Sequence, residues 1–481
     1  MISASGFGKT KIICTIGPAT QSVEMMVRLI EAGMDVARLN FSHGVREQYQ
    51  KVIDNLKQAR AITGEHITIL QDLGGPKIRT GLLEQKIVAL ATGDVFTFTT
   101  REIGGNAEIV STTYKQLPQD IKIGDTILVD DGKMTFRVES TTETDVVCRI
   151  LNGGTLSEKK GMNLPGVKVS LPSFTEKDAE DLKFGLANDI DYVALSFVRS
   201  ERDIQNLKEF LVKEAPKGKK VPIVAKIERG EAVEDINSIV AASDVIMVAR
   251  GDLGVELPTE DVPIIQKMVV RLCNEMGVPV IVATQMLESM IENPRPTRAE
   301  ANDVANAVLD GADAVMLSGE TSVGKFPVEA VQTMDRIIKK AETRYRDHFD
   351  ITRPRAHHEL TIPDAISRAV CVMANEVGAK AIVVITHSGF SAINTAKYRP
   401  KALILAITGR DKILRRLNLV WGVRGIIVPD FVADTDTAFQ RINEELRKLK
   451  YVQSGDYLIY TVGLPLLSRG TTNSIKIEKV V

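Results

Sequence analysis

Residues 221–230 read VPIVAKIERG, a stretch that begins like the inside of a protein and ends like its surface. Val221-Pro222-Ile223-Val224-Ala225 has the continuous apolar character of a buried strand. Lys226 and Glu228 follow at i, i+2, so both charges fall on one face of that strand. Seven further segments share the form: KTKIICTIG (9–17), MDVARLNFS (34–42), HITILQDLG (66–74), DYVALSFVR (191–199), DVIMVARGD (244–252), VPVIVATQM (278–286) and GADAVMLSGE (311–320). The pieces between them read as helices. Thr175-Glu176-Lys177-Asp178 has the form of a capping box, and Gly33 and Gly277 stand where helix-ending glycines belong. Eight β-α repeats with continuously apolar strands predict a closed (β/α)₈ barrel, with an open doubly wound sheet as the alternative.

One interval is longer than the others. Residues 81–170 alternate apolar and polar, as in DVFTFTT and DTILVDDGKMTFRVES, with Gly and Asp turns, and predict a small all-β insertion. It leaves the barrel after a strand, at the rim where barrel active sites lie, and so is placed to act as a lid. The expected barrel therefore comes in two parts, 1–80 and 171–350. Past the polar linker ITRPRAHH (351–358), a second series of five apolar runs predicts an open α/β domain over 351–481. In it, Thr386-His387-Ser388-Gly389-Phe390-Ser391 follows a strand and opens a helix, which suits a bound phosphate; a simple Ser/Gly turn would read the same way.

Composition narrows the function classes. The 481 residues are 44% hydrophobic, enough for two or three domains, and carry a net charge of −1 with a single Trp and no long basic run. No nucleic-acid footprint results, and a small molecule is the expected partner. Cys14, Cys148, Cys273 and Cys371 are scattered without a C-x-x-C pair, as in a reducing cytosol. MISASGFGKTK lacks a signal-peptide core and no apolar run is long enough for a membrane span, so a cytoplasmic protein without membrane association is expected.

In a barrel, the polar residues that end these strands converge on one mouth: Arg38, Asn40 and Ser42, then Asp72, Lys226 with Glu228, Asp252 and Thr284. Each alone has an ordinary explanation in snorkelling, turn formation or local pairing. Together they resist explanation as packing. Glu228 and Asp252 are hard oxygen donors suited to Mg²⁺ with positions left for substrate, Arg38 offers a fork for phosphate, and Lys226 a point cation for developing charge. There is no His or Cys cluster for zinc, no G-x-S-x-G and no Walker A sequence.

TKIICTIGPAT (10–20), GMDVARLNFSHG (33–44), GPKIRTG (75–81), KKGMNLPG (159–166), AKIERGEAVE (225–234), the long run from VIVATQM to GKFP (280–327) and TTNSIKI (471–477) resemble pyruvate kinases over essentially the whole chain. The resemblance implies phosphoryl transfer from phosphoenolpyruvate to ADP, giving pyruvate and ATP, the last step of glycolysis. It implies Mg²⁺ on Glu228 and Asp252, with Mn²⁺ as an alternative, and Lys226, Thr284 and Arg38 as catalytic residues. The same residues, with the Gly251 and Asp252 backbone, would bind substrate. Asn40, Phe41, Ser42, His43, Arg79 and Lys160 would meet the nucleotide.

Potassium-dependent members carry a glutamate where this chain has Lys77. Its ammonium is therefore expected in the monovalent-cation pocket of Asn40, Ser42 and Asp72, removing the need for K⁺. Thr386, His387, Ser388, Gly389 and Ser391 match the family's effector-phosphate loop, whereas GLPLLSRGTTN (463–473) departs from that of fructose-bisphosphate-regulated members. A bacterial-type homotetramer without the extra C-terminal module of some relatives is implied, activated by some phosphorylated metabolite. A Mg²⁺-dependent barrel lyase or aldolase would use a similar rim, and a degenerate barrel kept as a sugar-phosphate sensor is the non-enzyme reading.

Overall fold

The computed structural model describes residues 8–42, 44–216, 220–344, 361–428, 435–464 and 472–481. Its centre is a closed barrel of eight parallel strands: Lys11–Thr15, Val36–Asn40, Thr68–Asp72, Tyr192–Leu195, Ile223–Ile227, Val245–Ala249, Val280–Ala283 and Ala314–Leu317, paired in that order around the ring. The expected barrel is the one observed, and the open sheet is excluded for this part of the chain. Helices follow the strands with their ends marked as the sequence suggests. Thr175 Oγ1 accepts from Asp178 N (3.1 Å) at the start of the helix Glu176–Ala187, and Gly33 (φ 120°) and Gly277 (φ 73°) close theirs in the left-handed region that Cβ-bearing residues avoid.

Period-two alternation decides what fills the barrel. Ile13, Val36, Leu70, Tyr192, Val224, Met247, Ile281 and Met316 belong to one buried interior cluster. Two residues further along, the same inward parity gives Thr15 after Ile13, Arg38 after Val36, Asp72 after Leu70, and Lys226 after Val224. The interior therefore changes from apolar to charged near the carboxyl ends of the strands.

The floor has its own polar pattern. An aspartate stands immediately before the second, fourth, sixth and eighth strands, and each accepts a backbone N–H from the preceding strand: Asp35 from Ile12 (2.9 Å), Asp191 from Ile69 (2.9 Å), Asp244 from Ile223 (3.0 Å) and Asp313 from Val280 (3.0 Å).

Between the third and fourth strands lies the β insertion, a six-stranded sheet and a two-stranded one. Phe96, Phe98 and Phe136 pack edge-on and tilted at its centre, with ring centroids 5.1–5.5 Å apart. The C-terminal unit is a five-stranded sheet whose first four strands, Ala381–Ile385, Leu403–Thr408, Val423–Ile427 and Tyr457–Val462, run parallel, while Ser474–Lys479 is antiparallel at one edge. Its Leu419 joins the interior cluster and stops the barrel from below. All four cysteines are buried, and none forms a disulfide among the described residues. Among the described residues no helix is long and apolar enough to cross a membrane. The linker 351–358 lies outside the described residues.

Candidate active site

The strand Ile223–Ile227 ends at the barrel mouth. Lys226 Nζ lies 2.7 Å from Glu228 Oε1 and 3.4 Å from Asp72 Oδ1, and donates to Ser196 Oγ at 2.7 Å. Burial opposes the ammonium charge, but the carboxylates of Asp72, Glu228 and Asp252 more than offset it and hold the Lys226 pKa above the usual lysine range. Glu228 behaves differently. Burial raises its pKa, Asp252 adds to the rise, and Lys226 together with the Phe197 N–H (2.6 Å) opposes it. A carboxyl in that position gains from more positive charge than the protein itself supplies.

Arg38 is fixed on the other side of Asp72. Its Nε and Nη2 both lie 2.7 Å from Asp72 Oδ2, and Nη1 donates to Thr15 Oγ1 at 2.9 Å. Burial alone would raise the Asp72 pKa, but Lys226 and Arg38 lower it below the ordinary carboxylate value. Asp72 is thus a buried anion aligning two cations.

Asp252 enters from the short helix Arg250–Glu256 after the sixth strand. Thr284, after the seventh, sits with Gln285 in the left-handed region (φ 70° and 54°), a costly conformation for both. Arg250 supports that backbone, donating to Thr284 O at 2.6 Å while pairing with Asp303 at 2.7 Å. Thr284 Oγ1 donates to Ala283 O (2.6 Å) and accepts from Gly251 N (2.7 Å), so that amide is engaged by Thr284 itself.

The nucleotide candidates separate into two groups. Asn40 Oδ1 accepts from Ser42 N at 3.1 Å, and Phe41 is buried, its ring stacked 3.9 Å from Tyr49. Only the Phe41 backbone is therefore available to a ligand, and its carbonyl takes Lys177 Nζ at 3.1 Å. His43 lies outside the described residues. Arg79 lies beneath the insertion and Lys160 within it, where Arg79 Nη1 donates to Lys159 O (3.0 Å) and Lys160 Nζ pairs with Asp130 at 2.8 Å. A cavity of about 450 Å³ joins them to the mouth, lined also by Lys77, Phe197, Arg229 and Asp252.

Asp72 is taken by Arg38 and Lys226, and no ion pair between Asp72 and Lys77 forms among the described residues. Lys77 instead stands on the cavity wall, its pKa lowered by desolvation and by Lys226, with Asp252 acting the other way.

Thr15, Ser196, the Phe197 amide and Arg250 were not singled out from sequence. Thr15 carried a usable signal, two residues after inward-facing Ile13; the Phe197 amide and the reach of Arg250 depend on loop geometry.

In the C-terminal unit, Thr386 Oγ1 accepts from Gly389 N (3.0 Å), Ser388 Oγ from Phe390 N (3.4 Å), and Ser391 Oγ meets Thr472 Oγ1 at 2.6 Å. His387 and Ser388 are exposed. Residues 465–471 of the opposing loop lie outside the described residues.

Two carboxylates, two buried cations and a roofed cavity at the carboxyl end of a (β/α)₈ barrel define an enzyme acting on anionic substrates with a hard divalent ion. Among the described residues no group of three or more His, Cys, Asp and Glu side chains is arranged to hold a metal. A two-carboxylate site fits Mg²⁺, which keeps waters and substrate oxygens as its remaining ligands.

The pyruvate kinase barrel-domain family matches residues 7–331 and the pyruvate kinase alpha/beta-domain family residues 364–478. The chain is 46% identical over 475 residues to the pyruvate kinase of Geobacillus stearothermophilus, covering 98% of this chain and 80% of that one. It is 45% identical over 470 residues to that of Mycobacterium intracellulare, covering 98% of each. A crystal structure of a pyruvate kinase from Cryptosporidium parvum superposes with a TM-score of 0.92 at 38% identity, over 99% of this chain and 97% of that one. The chain belongs to the pyruvate kinase family, and is a phosphotransferase.

Proposed function

We propose that the mouth of this barrel transfers the phosphoryl group of phosphoenolpyruvate to ADP through the residues named above. The observation that carries this is Lys226, an ammonium kept charged between Asp72 and Glu228 at the same mouth where Asp252 and Phe197 line the cavity that also holds Arg79 and Lys160. In this reading the phosphoryl leaves the enol oxygen of phosphoenolpyruvate for a terminal phosphate oxygen of ADP. Lys226 meets the charge in flight and then the enolate, and Arg38, aimed by Asp72 and Thr15, grips the phosphate. The enolate carbon takes a proton by way of water beside Thr284. Positioning and fixed charge are most of what phosphoryl transfer needs. Glu228 and Asp252 would hold Mg²⁺, or Mn²⁺ in its place, which when bound supplies positive charge to substrate oxygens.

In the same reading residues 81–170 form the lid over a catalytic barrel of 1–80 and 171–350. The backbone and polar groups of Asn40 to His43, with Arg79 and Lys160, serve the nucleotide. Lys77 gives the cleft a built-in monovalent charge, so that little K⁺ is needed. The unit 351–481 carries a phosphorylated activator on the hydroxyl-rich loop Thr386 to Ser391, in a cytoplasmic bacterial-type homotetramer.

A coupled assay of pyruvate release tests the reaction, with expected dependence on phosphoenolpyruvate, ADP and Mg²⁺ together. Consumption of phosphoenolpyruvate without ADP would favour the lyase reading. Stimulation by a panel of phosphorylated metabolites, lost in Ser388→Glu, tests the activator; stimulation that survives the substitution would move the site elsewhere.

A further inference from the structure

Lys226 and Glu228 stand 2.7 Å apart in buried surroundings, where a carboxylate gains by turning both oxygens onto its cation. Asp313 does this on the floor, meeting Arg399 through two 2.9 Å contacts. Glu228 does not. Phe197 N donates to Glu228 Oε2 at 2.6 Å, so the ammonium holds one oxygen and a backbone amide the other. The carboxylate is fixed against rotation, and lone pairs remain on both oxygens for a further partner.

That amide is aimed by an unusual backbone. Phe197, two residues past the fourth strand, lies at φ 55°, in the left-handed region that residues with a Cβ rarely adopt. Contacts from three other places hold it there. Gly75 packs against the ring so closely that a Cβ would come within 2.7 Å of it. Ser173, just past the β insertion, donates its hydroxyl to Phe197 O at 2.7 Å. The Arg229 guanidinium stands 5.7 Å from the ring centroid. Its ion pair with Glu231 is long, 4.0 Å, and its Nε is buried without an acceptor, so the ring is a substantial part of its surroundings.

The neighbouring Ser196 serves Lys226 in the same manner, its Oγ accepting from Lys226 Nζ at 2.7 Å and donating to Leu73 O at 2.9 Å. Two consecutive residues thus set the ammonium and the carboxylate separately. Arg229 also offsets the burial of Glu256, which accepts from Asn163 Nδ2 of the insertion at 3.3 Å. The insertion therefore reaches Phe197 twice, at the ring by way of Arg229 and at the carbonyl by way of Ser173. We infer that Phe197 is a positioning residue for the divalent-ion site, its left-handed backbone keeping Glu228 from closing on Lys226 and so open to a cation. This rests on Glu228 as a metal ligand, the reading given above.

Mn²⁺ binding to the full chain without substrates, followed by the electron paramagnetic resonance signal of free Mn²⁺, reads the site apart from turnover. Phe197→Ala should weaken binding about tenfold, the lower end of what loss of a ligand's supporting contact costs. Phe197→Tyr keeps the ring and should stay within about twofold of wild type, with Ser173→Ala between the two. Ser173→Ala removes one hydroxyl and leaves the ring in place, so it reads the same link if Phe197→Ala does not fold. In steady state Phe197→Ala should raise the Mg²⁺ concentration for half-maximal rate more than it lowers the rate at saturating Mg²⁺, a split that loss of folded enzyme does not produce. If Glu228→Gln loses Mn²⁺ while Phe197→Ala and Ser173→Ala bind it as wild type does, the inference is overturned and the metal reading stands. Binding unchanged in Glu228→Gln would overturn both.

Discussion

The two ends of this barrel bury charge at similar depth and use it in opposite ways. On the floor, Arg399 and Asp313 meet in a closed bidentate pair with both side chains almost wholly inaccessible (1% and 5%), and Asp313 also takes the Val280 and Trp421 amides. At the mouth, Lys226 is shared between two carboxylates, and burial, with Asp252 adding to it, raises the Glu228 pKa. Burial of charge therefore does not by itself mark a site. What marks it is whether the charges satisfy one another, because a closed set has nothing left to offer a ligand.

The comparison breaks most easily on the floor. Arg399→Met leaves Asp313 buried without its cation, and removal of one partner of such a pair costs about 3–5 kcal/mol. Urea unfolding should show that loss, while turnover per folded molecule stays close to wild type. A variant as stable as wild type would mean that the floor pairs hold nothing together.

Lys226→Met makes the reverse test. Removing one preorganised charge should lower turnover by about 10²–10³, equivalent to roughly 2.7–4 kcal/mol of barrier, with little change in the unfolding midpoint. If stability falls and turnover does not, the mouth is a structural cluster like the floor.

Both ends were partly legible in the sequence. The mouth shows in the sequence because Lys226, Glu228 and Arg38 break apolar runs at strand ends, where period two sends them inward, while Asp252 reaches it from the helix after the sixth strand. Thr15 follows the same rule, but threonine is common in strands and so does not stand out there. The floor left an equally regular sign, an aspartate directly before every second strand, in MDVARLN, DYVALSF, DVIMVAR and ADAVMLS. A single aspartate before a strand is also an ordinary turn residue, so the sign is ambiguous until all four are set side by side. What sequence could not supply was long range: that Arg415 and Arg399 reach back more than 80 residues to those aspartates, or that Arg250 holds Thr284 in a left-handed turn.

A smaller effect is expected where the rim joins both roles. Thr175 and Asp178 cap the helix Glu176–Ala187, and Asp178 Oδ1 also accepts from Gly75 N at 3.1 Å, in the loop that leads to Lys77. Gly75 lies at φ 63°, and a Cβ there would come within 2.7 Å of the Phe197 ring, so the loop has little freedom to reseat itself. Thr175→Ala should cost about 1 kcal/mol of stability, the usual value of a cap. Asp178→Ala should cost more in activity than Thr175→Ala, since it also releases Gly75. Equal activities would confine the capping box to helix stability.

The smallest effect expected is that of potassium on the wild-type chain, because Lys77 already brings a cation to the cleft wall beside Asp252 and Glu228. Initial rates in buffer free of sodium and potassium should change by less than about twofold when KCl is added, under about 0.4 kcal/mol of barrier. Lys77→Glu replaces that charge by its opposite and leaves the cleft two units more negative around a Glu228 already short of positive charge. The variant should be slow without a monovalent cation and recover at least about tenfold with KCl, an effect that choline chloride at equal ionic strength does not reproduce. Strong activation of the wild type would show that the Lys77 ammonium does not replace a bound ion. An equal response of wild type and variant would mean that the cleft does not sense residue 77, and the distinction between an open mouth and a closed floor would then rest on Lys226 alone.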